Sequence, residues 1–183
     1  PDVLYAASYQ RERRAYSFLP AGPETAIWKT TDGAKSWTKL TSGLPTGDLG
    51  RIGLSVCRSR PNPVYAVIHA RGNTGGTFRS DDAGATWRKV NTKELNLYNT
   101  YGYYFGEISV SSTNENKVVI SGYSLMLSED GGKTFKATDN EATHADWHGC
   151  WMNPARDGHW VAGNDCGCNI TYDNGRHWFK ANT

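Results

Sequence analysis

At 183 residues the chain is long enough to bury a substantial core, and its 20 Lys and Arg against 18 Asp and Glu leave a formal charge of only +2. That balance excludes a general attraction to nucleic acid or to an anionic membrane surface, and no apolar stretch reaches the length needed to span a bilayer. Twenty Gly, seven Trp and ten Tyr, with short apolar runs and no helical periodicity, point to an all-β protein rich in tight turns.

The first predicted strand runs over residues 1–6 and aligns with the later stretch Pro63-Val64-Tyr65-Ala66. That stretch reads as the second strand of its own unit, so the first unit is expected to lack an inner strand. A long loop, residues 9–25, follows with Arg11, Arg13, Arg14 and Tyr16 ahead of the sequence PAGPE, and reads first as a solvated loop. Next comes TTDGAKSW at 30–37. The second unit predicts strands at 51–57, 64–69, 77–80 and 86–90, and the third at 106–111, 117–121, 125–128 and 134–137. The connection between them, 91–103, carries Tyr98, Tyr101 and Tyr103. The fourth unit predicts strands at 147–152, 160–163, 169–171 and 177–180.

One motif punctuates the third-to-fourth strand turn of every unit. TTDGAKSW, SDDAGATW, SEDGGKTF and TYDNGRHW share the form Ser/Thr-x-Asp-x-Gly-x-x-aromatic, with Ala34 replacing Gly in the first. Asp32, Asp82, Asp130 and Asp173 lie 50, 48 and 43 residues apart, the spacing of four-stranded propeller blades. The expected fold is therefore a β-propeller of four-stranded antiparallel blades, one segment over 1–183 with blades near 1–41, 50–91, 104–139 and 146–183. An incomplete first blade and open sheet edges imply that the ring is larger, completed by more of the same polypeptide or by another copy. A chain opening on Pro1 also suits a removed leader or a segment of something longer.

The four motifs resemble the Asp-box, or bacterial neuraminidase repeat, of sialidases, sortilin-type receptors, xyloglucan-cleaving glycosidases and photosystem assembly factors. The resemblance implies that the four aspartates are structural: each carboxylate accepts hydrogen bonds inside its turn, the glycine supplies positive φ, and the aromatic residue packs beneath. LYAASYQRERR, AGPETAIWKTTDG, HADWHGCWMNP and GNDCGCNITYDNG extend the similarity to large bacterial secreted propellers labelled sortilin-like or glycosyl hydrolase. His144, Asp146, His148, Gly163, Asn164, Asp165 and Gly167 match that group, whereas Cys166 stands where it usually has Gly and Cys168 replaces an apolar residue. An extracellular or periplasmic location is what this resemblance implies. Sialidase activity is disfavoured, because GRIGLS at 50–55 lacks the proline of the sialidase motif.

Unusual residues gather on the loops at the end opposite the Asp turns. In THADWHGCW, residues 143–151, an extended strand would put His144, Asp146, His148 and Cys150 on one face and the blade-packing Trp147 and Trp151 on the other. Asp165 should lie near Asp146 or His148, since first and second strands of a blade are antiparallel neighbours. The favoured function is ligand binding, to a polysaccharide or a protein, through His144, His148, Arg11, Arg13, Tyr16, Tyr101 and Tyr103, with tyrosines as a shelf for a sugar ring. The alternative is a glycoside hydrolase with Asp165 and Asp146 as its two carboxylates. No cofactor is expected. A bound zinc or similar ion on His144, Asp146 and His148, completed by Cys166 or Cys168, is the competing use of these residues, although their spacing matches no finger pattern. The four cysteines leave two alternatives open, one bridge from Cys150 to Cys166 or Cys168, or four thiols.

Overall fold

A computed structural model describes residues 1–95, 102–138 and 143–181. Its strands are β1 (Leu4–Ser8), β2 (Glu12–Arg14), β3 (Ser17–Leu19), β4 (Ala26–Thr30), β5 (Thr38–Leu40), β6 (Leu49–Cys57), β7 (Arg60–Ala70), β8 (Gly76–Ser80), β9 (Arg88–Lys89), β10 (Glu107–Val110), β11 (Val118–Ser121), β12 (Leu125–Ser128), β13 (Lys136–Ala137), β14 (Trp147–Met152), β15 (Trp160–Asn164), β16 (Gly167–Thr171) and β17 (Phe179–Lys180). They form an all-β array of antiparallel sheets ordered β1-β4-β5, β6-β7-β8-β9, β10-β11-β12-β13 and β14-β15-β16-β17. This is the partial propeller that the spacing predicts. The first sheet has three strands, and β1 pairs with β4 as β7 pairs with β8, so among the described residues its inner strand is missing. The outermost strands of the three full sheets are two-residue stubs, shorter than the sequence suggests.

Each pair of adjacent sheets closes over its own apolar layer. Ile27 of the first sheet packs with Ile52, Val64, Ala66, Ile68 and Phe78 of the second. Tyr65 and Val67 of the second meet Ile108, Val110, Val118 and Ile120 of the third. Val119, Leu125 and Leu127 of the third meet Trp147, Trp160 and Ala162 of the fourth. The strands that supply these layers carry alternating or continuous β-branched residues, as sheets buried on both faces require. Polar ties reinforce the seams. The Tyr65 hydroxyl donates to the Glu115 carbonyl at 2.7 Å, and the Arg79 guanidinium to Asn116 Oδ1 at 2.9 Å. Lys117, buried, pairs with Asp157 and donates to Asn174 Oδ1 at 3.0 Å.

The four aspartate turns are built alike. Asp32 Oδ1 accepts from the Lys35 and Ser36 N–H groups at 3.0 Å and from the Thr30 hydroxyl at 2.7 Å, while Oδ2 accepts from the Ser36 hydroxyl at 2.6 Å. Two consecutive residues in each turn have left-handed φ, and in the first turn one of them is Ala34 at 75°, where the others place glycine. The Ser36 hydroxyl, the Ser36 N–H and the Thr30 hydroxyl hold Asp32 down to about 2, and Thr86 does the same for Asp82. Burial pushes Asp130 up, but hydrogen bonds from Thr134, Ser128 and Lys133 outweigh it and bring it to about 2. The His177 N–H and ring bring Asp173 to about 2.

Two expectations change, and of the two alternatives for the cysteines one holds. The loop over residues 9–25 contains a hairpin, β2 with β3, in register Glu12 to Leu19, Arg13 to Phe18 and Arg14 to Ser17. Trp151 does not pack inside a sheet seam: it is 52% exposed, because Cys150 and Met152 take the covered face and Trp151 the opposite one. All four cysteines are thiols. Cys150 faces the third sheet while Cys168, cross-strand from Gly163, faces away from it, so the fourth sheet itself separates the pair. Desolvation pushes the Cys150 thiol up to about 12.

Candidate functional site

The β15–β16 turn presents Asp165 at the end of the fourth sheet where β14 begins. The aspartate turn lies where β16 ends, so topology alone puts the two at opposite ends. His148 Nε2 and Asp165 Oδ1 are 2.8 Å apart, with both side chains solvent-accessible. Asn164 supports the pair. Its Nδ2 donates to the His144 carbonyl at 2.8 Å and its Oδ1 accepts the Cys166 N–H at 3.1 Å, fastening the turn to the incoming segment.

The shared face expected for His144, Asp146, His148 and Cys150 is absent. The strand starts only at Trp147, and Asp146 before it has φ of 66°, which turns the chain through the left-handed region. The Asp146 and Trp147 N–H groups donate to Tyr123 and Gly122 carbonyls at 3.0 and 2.8 Å, fixing that corner against the third sheet. A register shift between Trp147 and Gly149 then places His148 in a bulge, re-aiming its ring. His144 Nδ1 lies 2.9 Å from the Ala145 carbonyl oxygen. Among the described residues no three His, Cys, Asp or Glu side chains converge as a metal-ligand set, so His144, Asp146 and His148 are not gathered as one. The carboxylate that the structure does bring to a partner is Asp165, and the partner is His148 rather than Asp146.

Aromatic rings continue the site away from His148. Tyr104 meets the His148 ring edge-on at 5.2 Å, and buried Phe105 stacks on it at 5.7 Å and 24°. Tyr104 contacts Tyr103 at 6.2 Å, and Tyr103 contacts Phe18 of β3 at 4.6 Å. The Arg11 guanidinium lies 5.7 Å from the Phe18 ring centre and 5.8 Å from that of Tyr103. Arg51 donates to the Tyr104 carbonyl and pairs with Glu107, which anchors the tyrosine segment to the second and third sheets. Burial raises the Tyr9 phenol at the hairpin base, with the charges of Arg11 and Arg51 opposing.

Of the sequence-nominated residues, Arg11 and Tyr103 join this run, and His148 and Asp165 end it. Arg13 sits on exposed β2, and Tyr16 at the hairpin tip is reached by Arg14, whose guanidinium also engages Glu12. Tyr98 and Tyr101 lie outside the described residues. Phe18, Tyr104, Phe105, Arg51 and Asn164 were not nominated. Phe18 carries a local signal in its apolar pair with Leu19 shortly after the arginine run, and Asn164 in the GNDCGC match.

No protein-family model and no curated protein sequence matches this chain. Solved structures do match in shape. The GH74 xyloglucanase from Xanthomonas campestris superposes with a TM-score of 0.60 at 19% identity, over 98% of this chain and 23% of that one. A GH74 enzyme from Niastella koreensis gives 0.66 at 15% identity, over 86% and 26%. YCF48 bound to a D1 peptide gives 0.57 at 18%, over 86% and 48%. All are β-propellers, and at these identities the likeness concerns the fold. The chain spans about a quarter of the length of the two GH74 structures.

Proposed function

We propose that this chain is an Asp-box propeller segment whose loop end, opposite the aspartate turns, binds a glycan outside the cell or in the periplasm. The observation that carries the reading is the run of rings from Phe18 through Tyr103 and Tyr104 to His148, capped by the His148–Asp165 hydrogen bond. Sugar rings stack their C–H faces on aromatic rings, and their hydroxyls take hydrogen bonds from both donors and acceptors. Tyr104 and Phe18 offer exposed rings, Arg11 is a donor only, Asp165 an acceptor, and His148 the group that orients it. The GH74 likeness supports a polysaccharide as the first ligand class to try. The reading needs no cofactor.

Titration calorimetry with xyloglucan oligosaccharides and a panel of other glycans tests it. Tyr104→Ala is expected to lose on the order of tenfold in affinity, with the fold kept. Peptide binding without glycan binding would move the site to a protein ligand.

A second reading is supported by the exposed Asp165 carboxylate and by a carboxylate on Asp146 that no hydrogen bond among the described residues engages. In it the two act as the acid and base of a glycoside hydrolase. Asp165→Asn separates the readings: hydrolysis by the parent that this variant abolishes, with binding retained, favours the enzyme. No cleavage of any glycan in the panel eliminates it.

A further inference from the structure

The β2–β3 hairpin sorts its charges by face. Arg13 pairs with Phe18 across the two strands, and directly opposed residues of an antiparallel pair point to the same side. Arg11, two residues before Arg13, joins them there, with its guanidinium 5.7 Å from the Phe18 ring centre. Glu12 and Arg14 alternate onto the other side, where they form an ion pair, and Arg14 also donates to the Tyr16 hydroxyl at 3.3 Å. That side is neutralised within the hairpin. The side that meets Tyr103 through Phe18 carries two arginines and no acid.

The acids along the ring run are already engaged. Glu107 is paired with Arg51, and Asp165 with His148. Among the described residues neither Arg11 nor Arg13 has a carboxylate within ion-pair distance. The chain's formal charge is only +2, so two uncompensated arginines side by side are a local feature, not the consequence of a basic chain.

Arg11 is also oriented in advance. The Phe18 and Tyr103 rings, 5.7 and 5.8 Å from its guanidinium, limit the positions this long side chain can take. The N–H groups left over form a planar fork, and what such a fork fits is a pair of oxygens on one carboxylate or one sulfate.

We infer that the glycan bound at the loop end is acidic, with its carboxylate or sulfate group held by Arg11 and Arg13 and its sugar faces carried by the rings from Phe18 to Tyr104. The assignment rests on glycan binding at this end of the molecule and narrows the ligand class. It also sets a direction. Asp165 and His148 close the far end of the run, so a carboxylate there repels the anionic group while accepting neutral sugar hydroxyls.

Titration calorimetry of the full 183-residue chain with three oligosaccharides tests this: a neutral xyloglucan fragment, an oligogalacturonate, which carries carboxylates, and a carrageenan fragment, which carries sulfates. At least one acidic ligand is expected to bind on the order of tenfold more tightly than the neutral one in dilute salt, with the advantage shrinking as salt is added. Which of the two binds identifies the anionic group. Arg13→Gln, at an exposed position, should weaken the acidic ligand on the order of tenfold and leave the neutral one unchanged. Arg14→Gln removes the same charge from the opposite side and should change neither by more than about twofold. Acidic ligands that bind no more tightly than the neutral one, or an Arg13→Gln effect no larger than that of Arg14→Gln, would overturn the inference and leave glycan binding standing. If none of the three binds, glycan binding at the loop end fails and the inference falls with it.

Discussion

Gly53→Ala and Gly149→Ala place the same methyl group at corresponding points of two sheets, one covered and one open. At Gly53 the new Cβ would lie 2.2 Å from the Gly106 carbonyl oxygen and 3.0 Å from Val67 Cγ1. A carbon and a carbonyl oxygen settle at about 3.3 Å, so the third sheet must withdraw by about 1 Å along the seam that Tyr65, Val67, Ile108 and Val110 fill. Overpacking of this kind costs about 1–3 kcal/mol, and the reduced freedom of the unfolded chain returns about 0.4–1 kcal/mol. The net loss is up to about 2.6 kcal/mol, or up to roughly 5–10 °C in Tm for a chain of this size. At Gly149 no neighbour opposes the methyl group, and only the unfolded-chain term remains, a gain of up to about 1 kcal/mol. Urea unfolding followed by tryptophan fluorescence at low protein concentration gives both values, with the denaturant slope unchanged. If Gly53→Ala proves as stable as Gly149→Ala, the close approach of the second and third sheets is not what reserves position 53 for glycine.

Acid should weaken the fold through the aspartate turns. Their carboxylates sit at about 2 in the folded chain against 3.8 ordinarily, so the unfolded chain binds more protons between those values. Their contribution is complete above about pH 4 and is lost as pH falls through about 2; a pH series of urea midpoints should steepen in that window, less so for Asp130→Asn. Trp160→Ala removes a fully buried ring from the layer between the third and fourth sheets and should cost about 3–5 kcal/mol by the same unfolding assay. The Cys150 thiol, pushed up to about 12, should resist iodoacetamide at pH 8 in the folded chain and react once urea unfolds it, as mass spectrometry of peptides would show.

Repetition made the architecture legible. Asp32, Asp82, Asp130 and Asp173 mark one turn per sheet, and the strands between them were short enough for alternation to place most of their bounds. That Asp165 lies near Asp146 or His148 also followed from sequence, because antiparallel pairing of β14 and β15 brings the start of one to the end of the other; that the partner is His148 did not. What alternation could not reveal was the corner at Asp146. A left-handed aspartate and a bulge at His148 break the period of two, so residues spaced evenly in the sequence do not share a face. Phe18 and Tyr104 were missed for another reason: they are 86 residues apart in the sequence, and their connection through Tyr103 depends on where two loops fold back over the sheets. Trp151 was misassigned because an inward and an outward aromatic look alike when a sheet is apolar on both faces.

The ring run from Phe18 to His148 has a mechanical side. It joins a hairpin on the first sheet, the segment ahead of β10 and the bulge opening β14, three pieces of chain that belong to three different sheets. A rigid oligosaccharide lying along these rings would strap the three together from above. Its binding free energy would add to resistance against unfolding as RT ln(1 + [L]/Kd) and would shield the exposed Arg11–Tyr16 stretch from trypsin. Occupancy of the loop end would then be felt as stiffness of the whole array, a property measurable without knowing what happens to the ligand.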